Sequence, residues 1–331
     1  MFLITSQDGY GEIVKPFLVS VNIPVYNAAD YVEQAVESAL ALPQTAEVIL
    51  VEDCSTDNSW KVCQALAAKY GKVHLYRHPD GRNHGCSASR SLAAEKSTCE
   101  YISFLDADDF YLPGRFDTAE QLFGADPELE GVYEAIGAYV EDEVGLQRWK
   151  DAGREGFTLH TMTEYVQPRE LFSTLIAGKT GSFSIVGLVV KRNVFEKVGY
   201  FDETLSLHMD EIFMFKLAAL AKLLPGQLDK PVALWRVHDH NRISAYRSKS
   251  LIYKMKLKWW YALWKSSRGQ LNSGDQQLVL SMLIKHGMSF QRFGKEPGRG
   301  YRLGKLLLWI MLLMDCPKLF FEIAYWRQLD F

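Results

Sequence analysis

Apolar and polar positions alternate along the first half of the chain in two rhythms. Residues 18–25 (LVSVNIPV) form a near-continuous apolar, β-rich run, whereas over 28–42 the apolar positions recur at Val32, Ala35, Val36 and Ala39, the spacing of one helix face. Pro43 closes that helix. The cycle then repeats. A strand is predicted over 47–51, and "STDNSW" offers Ser, Thr, Asp and Asn as caps for a helix over about 59–70 that Gly71 stops. A third strand is predicted over 73–77, a helix over 87–96 after the loop "GRNHG", and a fourth strand over 101–105. Alternation of this kind predicts a parallel sheet covered by helices. Such sheets bind ligands beyond the carboxyl ends of their strands, so Asp53, Asp106 and Asp108 are expected in one crevice.

The second half is less regular. Residues 132–140 and 183–190 each read as a strand, and 208–222 (HMDEIFMFKLAALAK) as a helix with a strongly apolar face. Between 143 and 180, turn and charge signals set no clear order. After "WRVHDHNRIS" the chain turns helical, basic and aromatic to its end.

The fourth strand runs into three carboxylates in "YISFLDADDFY": Asp106, Asp108 and Asp109. Like charges this close repel and desolvate poorly, so a positive group is expected among them. Asp106 and Asp108 are two apart in an extended segment and face the same side. Oxygen donors of this kind suit Mg²⁺ or Mn²⁺, which take one or two protein carboxylates and complete their shell with water and substrate phosphates. An isolated D-x-D-D is more often a solvated capping loop, and Asp109 fits such a cap. Position at the end of a buried strand in a doubly wound pattern favours the cation site.

In register over roughly residues 18–245, the chain resembles the inverting nucleotide-sugar glycosyltransferases of family 2. "VSVNIPVYNAADYVEQAVESAL" is similar to the family's opening strand and helix, "EVILVEDCSTDNS" to its V-D-D-G-S-T-D-x-S, and "NHGCSASRSLAAEKSTCEYISFLDADD" to its N-x-G-x-x-x-A-R-N…G-E-Y-I-x-F-L-D-x-D-D. The resemblance implies an α/β fold of GT-A type: a Rossmann-like, mostly parallel sheet flanked by helices, in a catalytic domain over 1–245, followed by a helical extension over 246–331.

It also implies roles for individual residues. Pro24 and Tyr26 line the base pocket, and Asp53 accepts a hydrogen bond from a uracil or thymine N–H. Arg90 lies near the nucleotide, Asp106 contacts the ribose or metal, and Asp108 ligates Mn²⁺ or Mg²⁺ at the diphosphate. "HMDEIFMFKLA" resembles the family's E-D-x-x-x-x-x-R-L segment, which makes Asp210 the catalytic base, with Glu211 the alternative. Met209 and Lys216 depart from that pattern, as do Glu52 for Asp, Cys54 for Gly and Ser91 for Asn. "WRVHDHNRIS" resembles an R-x-H segment in which His238 approaches the metal or diphosphate, beside Arg236 and Arg242. Ser182 in "GSFSIVG" falls either on the acceptor side of the cleft or in a plain turn before a strand.

Composition adds an asymmetry. The formal net charge of −3 divides into +8 from residue 251 onward and −11 before it. Residues 251–264 and 301–326 mix Lys and Arg with Trp, Tyr and Leu, which fits either an anionic membrane surface or packing onto the catalytic domain or a second subunit. The longest apolar run, 306–314, is too short to span a bilayer. Five cysteines without a C-x-x-C pair argue against a disulfide framework or structural zinc, and with no visible secretory signal a cytoplasmic protein is expected, with peripheral association at the cytoplasmic membrane face left open.

The expected activity is transfer of a sugar from a UDP- or dTDP-sugar to a glycan or lipid-linked acceptor, in cell-surface polysaccharide or glycan biosynthesis. The alternative is a non-catalytic sugar-nucleotide-binding subunit. A homo-oligomer is open, whereas nucleic-acid binding has no motif behind it. "IPVYNAADY" has neither glycine nor a basic residue for a triphosphate, and no G-x-G-x-x-G follows a strand, which disfavours a nucleotidyltransferase and a dinucleotide oxidoreductase.

Overall fold

The structure, a computed structural model, describes residues 15–151, 159–204, 209–238 and 249–291, together with residues 310 and 314. The alternation opens as predicted: β1 (Val19–Val25), α1 (Val32–Leu40), β2 (Thr45–Glu52), α2 (Ser59–Lys69), β3 (Val73–Tyr76), α3 (Gly85–Lys96) and β4 (Tyr101–Phe104). All seven residues of β1 are buried, as befits a central strand covered on both faces. On α1, Val32, Ala35, Val36 and Ala39 form the buried face.

The chain continues through β5 (Phe110–Tyr111), α4 (Asp117–Ala125), β6 (Gly131–Tyr133), β7 (Ile136–Val140), α5 (Glu143–Asp151), β8 (Leu159–His160), α6 (Pro168–Ala177), β9 (Leu188–Lys191), α7 (Val194–Val198), α8 (Met209–Leu220), β10 (Leu223–Pro225), β11 (Ala233–Val237), α9 (Lys249–Ser266) and α10 (Ser273–Gln291). A seven-stranded sheet has the order β10-β6-β9-β4-β1-β2-β3, and a four-stranded sheet the order β5-β11-β7-β8. In the larger sheet β1 pairs in parallel with both β2 and β4. The strand order therefore reverses at β1, and the loops after β1 and β4 flank the crevice where open α/β sheets take ligands.

Pro24 sits in β1 without cost to the ladder. The β1–β4 register ends at Asn22 and Phe104, so the side of β1 that Pro24 faces has no further strand waiting for an N–H.

Two predicted strands are corrected. Residues 132–140 are not one strand but two, β6 in the large sheet and β7 in the small one. The switch falls at Glu134, whose N–H donates to Gly187 O and whose carboxylate is drawn into the core by Arg115. Residues 183–190 begin with a 3₁₀ turn at Ile185–Gly187, and only Leu188–Lys191 is strand, running antiparallel between β4 and β6.

The basic, aromatic extension packs inward where it is described. Trp259, Trp260, Trp264 and Leu263 of α9 and Val279, Leu280 and Leu283 of α10 belong to the same apolar core as the sheet. Phe215 of α8 meets Trp259 edge-to-face with ring centroids 5.1 Å apart. These tryptophans are used in packing, which supports the packing reading for residues 251–264. Residues 301–326 lie outside the described residues except at 310 and 314. Among the described residues no helix is long and apolar enough to cross a membrane.

Candidate active site

The loops after β1 and β2 are bolted together. Ser55 Oγ accepts from Asn27 N (3.0 Å), Ser59 Oγ from Ala28 N (2.8 Å) and Asp57 Oδ2 from Ala29 N (3.1 Å), while Asn27 Oδ1 accepts from Thr56 N (2.8 Å). The "STDNS" stretch thus works as a clamp on the β1–α1 loop, and it holds Tyr26, 38% exposed, at the crevice mouth.

Glu52, in place of the usual Asp, is fully buried and takes the Arg77 Nε donor and the Ser55 N–H (2.7 Å). Burial alone would raise its carboxyl, but the Arg77 and Ser55 donors outweigh it and hold the group below the usual carboxylate range. A depressed carboxylate stabilises the fold above its unfolded value and loses that contribution as pH falls. Acid unfolding below about pH 4 is therefore expected to be less steep for Glu52→Gln, read from denaturation midpoints across pH.

Cys54, in place of Gly, keeps the turn that Gly would make: its φ is +57°, and its Sγ donates to Gly81 O. A side chain in this left-handed region costs about 1–2 kcal/mol, of which the added freedom of an unfolded Gly returns about 0.4–1 kcal/mol. Cys54→Gly is expected to stabilise the protein by up to about 1 kcal/mol, seen as a higher urea midpoint at unchanged m.

Asp53 has a task the sequence did not suggest. Its Oδ1 and Oδ2 accept from the backbone N–H groups of His84 (2.8 Å) and Gly85 (2.7 Å), and its carbonyl accepts from Asn83 Nδ2 (2.9 Å). The carboxylate thereby caps the start of α3, at 2% exposure. With about four acceptor positions on a carboxylate, two remain.

That cap aims α3, and α3 carries Arg90. Arg90 is 3% exposed and donates through Nη2 to Asp106 Oδ1. It also attracts Asp210 in the first turn of α8. Burial raises the Asp210 carboxyl above its usual range; Arg90 works against that rise, and Glu211 and Asp106 add to it. One buried guanidinium therefore acts electrostatically on both the strand-end acid and the predicted base. Lys216, by contrast, is buried beside Asp202, and burial lowers its pKa.

Asp108 faces a second partner. His238 Nε2 lies 3.1 Å from Asp108 Oδ2, and the His238 ring packs on Tyr31 at 4.8 Å. The small sheet brings them together: β5 and β11 are antiparallel with Phe110 opposite Leu234, which carries the segment before Phe110 alongside the segment after Leu234. Asp109 turns inward at 4% exposure and accepts from Arg236 N (3.0 Å). Burial, then Asp108 and Asp106, push its carboxyl well above the usual range. It caps no helix: it ties the carboxylate loop to β11 from the buried side.

Asp108 and His238 form an oxygen and nitrogen pair, and the Asp108 side chain is 33% exposed. Among the described residues no group of three or more His, Cys, Asp or Glu side chains converges. Two protein donors fit Mn²⁺ or Mg²⁺, which take their remaining ligands from water and substrate phosphates. Ser182 Oγ lies 2.8 Å from His160 Nε2, on the small-sheet side. Arg242 lies outside the described residues.

The sequence reading missed Arg115 and Glu134, a fully buried pair 2.7 Å apart beneath the carboxylate loop. "LPGRFD" reads as a surface turn, and no local signal marks its Arg as buried.

The chain matches the family model described as glycosyl transferase family 2 over residues 20–198. It is 28% identical over 232 residues to an uncharacterized glycosyltransferase of Rickettsia felis, covering 67% of this chain and 34% of that one. It is 42% identical over 100 residues to succinoglycan biosynthesis protein ExoU of Rhizobium meliloti, covering 30% of this chain and 29% of that one. The matched segments span about a third of the length of these curated relatives. Among solved structures, S. aureus TarS 1-349 in complex with UDP-GlcNAc superposes with a TM-score of 0.58 at 18% identity, covering 86% of this chain and 75% of that one. That likeness shows the shared GT-A architecture, and with more than half its length matched by the family model, the chain belongs to glycosyl transferase family 2.

Proposed function

We propose that the protein is a metal-dependent, inverting glycosyltransferase that moves a sugar from a UDP- or dTDP-sugar to an acceptor hydroxyl of a glycan or lipid-linked glycan. The observation that carries this reading is a pair of contacts beside the strand-order reversal, Arg90 with Asp106 and His238 with Asp108, with Asp210 electrostatically linked to Arg90 and Asp106. Nucleotide-sugar use is supported by the UDP-GlcNAc complex of TarS, and a role in polysaccharide assembly by ExoU.

Inversion is a single displacement at the anomeric carbon. Asp210, its carboxyl raised by burial, takes the proton from the acceptor hydroxyl as that oxygen attacks. Arg90 holds Asp106 in place toward the nucleotide, and the clamped β1–α1 loop presents Tyr26 to the base. Asp108 and His238 would hold Mn²⁺ or Mg²⁺, which when bound supplies positive charge to the diphosphate leaving group. No covalent enzyme intermediate is required.

The test is incubation with a panel of sugar nucleotides, with and without Mn²⁺, following nucleotide release. Release that needs Mn²⁺, Asp108 and Asp210 supports the reading. Mn²⁺-independent release unchanged in Asp108→Ala contradicts the metal assignment. UDP binding without any Asp210-dependent release supports the non-catalytic subunit, for which the departures at Met209 and Lys216 speak.

A further inference from the structure

Arg236 lies one residue before the strand end that delivers His238, and it bonds the carboxylate loop through both its backbone and its side chain. Its backbone N–H donates to Asp109 Oδ1 (3.0 Å) and its Nε to the Asp108 carbonyl (3.0 Å). Both bonds join residues well over a hundred positions apart in sequence. Nη1 donates to Glu141 Oε1 (2.7 Å) and Nη2 to Gln34 Oε1. The guanidinium also lies over three rings, Tyr31 at 5.1 Å, Tyr139 at 5.3 Å and Phe110 at 5.4 Å. Tyr31 is the same ring that supports His238.

We infer that Arg236 is the positioning residue that holds the Asp108 carboxylate and the His238 imidazole at one point. This rests on the metal reading proposed above. The reasoning is geometric. Asp108 is presented from a turn with only a two-residue strand, β5, behind it, and such a short strand fixes a side chain poorly. Arg236 fixes the Asp108 carbonyl from one side, and through Tyr31 it shares a wall with His238 on the other. Its flat fork reaches Asp108, Glu141 and Gln34 at once, which a lysine ammonium on a flexible stem cannot do. The arrangement is that of an outer partner that orients metal ligands, a class of contact whose loss typically weakens metal binding about 10–100-fold.

A purely structural arginine gives the same buried contacts, so the test must read something that fold stability does not move. Mn²⁺ binding is measured by loss of the free Mn²⁺ paramagnetic resonance signal, with UDP present, on the full chain. Wild type is compared with Arg236→Lys, Gln34→Ala, Asp108→Asn and His238→Ala, and each thermal midpoint is taken without Mn²⁺ or UDP. Arg236→Lys is expected to weaken Mn²⁺ binding about tenfold at temperatures where it is fully folded. Gln34→Ala, which removes one anchor of the fork, is expected to weaken it about two- to threefold and keeps the test available if Arg236→Lys does not fold. Wild-type Mn²⁺ affinity in both variants, alongside weakened binding in Asp108→Asn and His238→Ala, overturns the inference and leaves the metal reading standing. Wild-type affinity in Asp108→Asn and His238→Ala as well overturns both.

Discussion

Asp210→Asn is expected to lower the rate of sugar transfer by about 10²–10⁴-fold, the usual worth of a general base, with little change in the affinity for UDP. Asparagine keeps the shape and cannot accept the proton. The direction of the Asp210 shift adds a second signature. Burial raises its carboxyl, so the base is protonated, and idle, at pH values where an ordinary aspartate is already ionised. The rate should therefore fall on the acid side at a pH above about 4, and that limb should be missing from whatever activity Asp210→Asn retains. Glu211→Gln is the control: a full-sized loss there, with Asp210→Asn close to wild type, moves the base to Glu211.

Arg115→Met is expected to destabilise the protein by about 3–5 kcal/mol. Arg115 is 0% and Glu134 1% exposed, and Arg115 also donates to Val186 O (3.2 Å) and Ser103 Oγ (3.4 Å). Removing the guanidinium strands the Glu134 carboxylate, which keeps only the Gln227 N–H (3.1 Å). The surroundings cannot relax easily, because a Cβ on Gly226 would lie 2.7 Å from Glu134 Oε1. Since the buried charge is the source of the cost, Arg115→Met combined with Glu134→Gln should recover much of the loss. Urea midpoints of the two single variants and the pair measure this. Against a typical stability of about 5–15 kcal/mol, the single substitution is severe. The network also holds Ser103 and Tyr111, on either side of the carboxylate loop, so the damage should reach activity.

How far the sequence reveals this molecule depends on where each contact comes from. β1 through β4 and the helices between them match their predicted spans to within a few residues, because each is long and apolar enough to carry its own period. Asp53, Asp106 and Asp108 come to one edge for the same reason, that parallel strands deliver their ends together, and Arg90 reaches Asp106 from α3. The small sheet was not legible. β5 and β8 have two residues each, too few for any alternation, and β11 pairs with a segment 128 residues away at the Arg236–Asp108 contact. His238 was suggested by a resemblance, yet its approach to Asp108 is made by that long-range pairing, which no local pattern encodes. Glu134 broke the reading of 132–140 for a related reason. A polar residue between two apolar runs looks like strand alternation, whereas here it marks the point where the chain leaves one sheet for another. The cluster of acids at the end of β4 called for a positive neighbour, and Arg90 and Arg236 supply it from α3 and β11.

A crystal grown with UDP and Mn²⁺, with anomalous scattering recorded at the manganese edge, tests the central claim most directly. A manganese peak touching Asp108, His238 and the diphosphate is the predicted result. A diphosphate bound away from Asp108, with no metal between them, would contradict it.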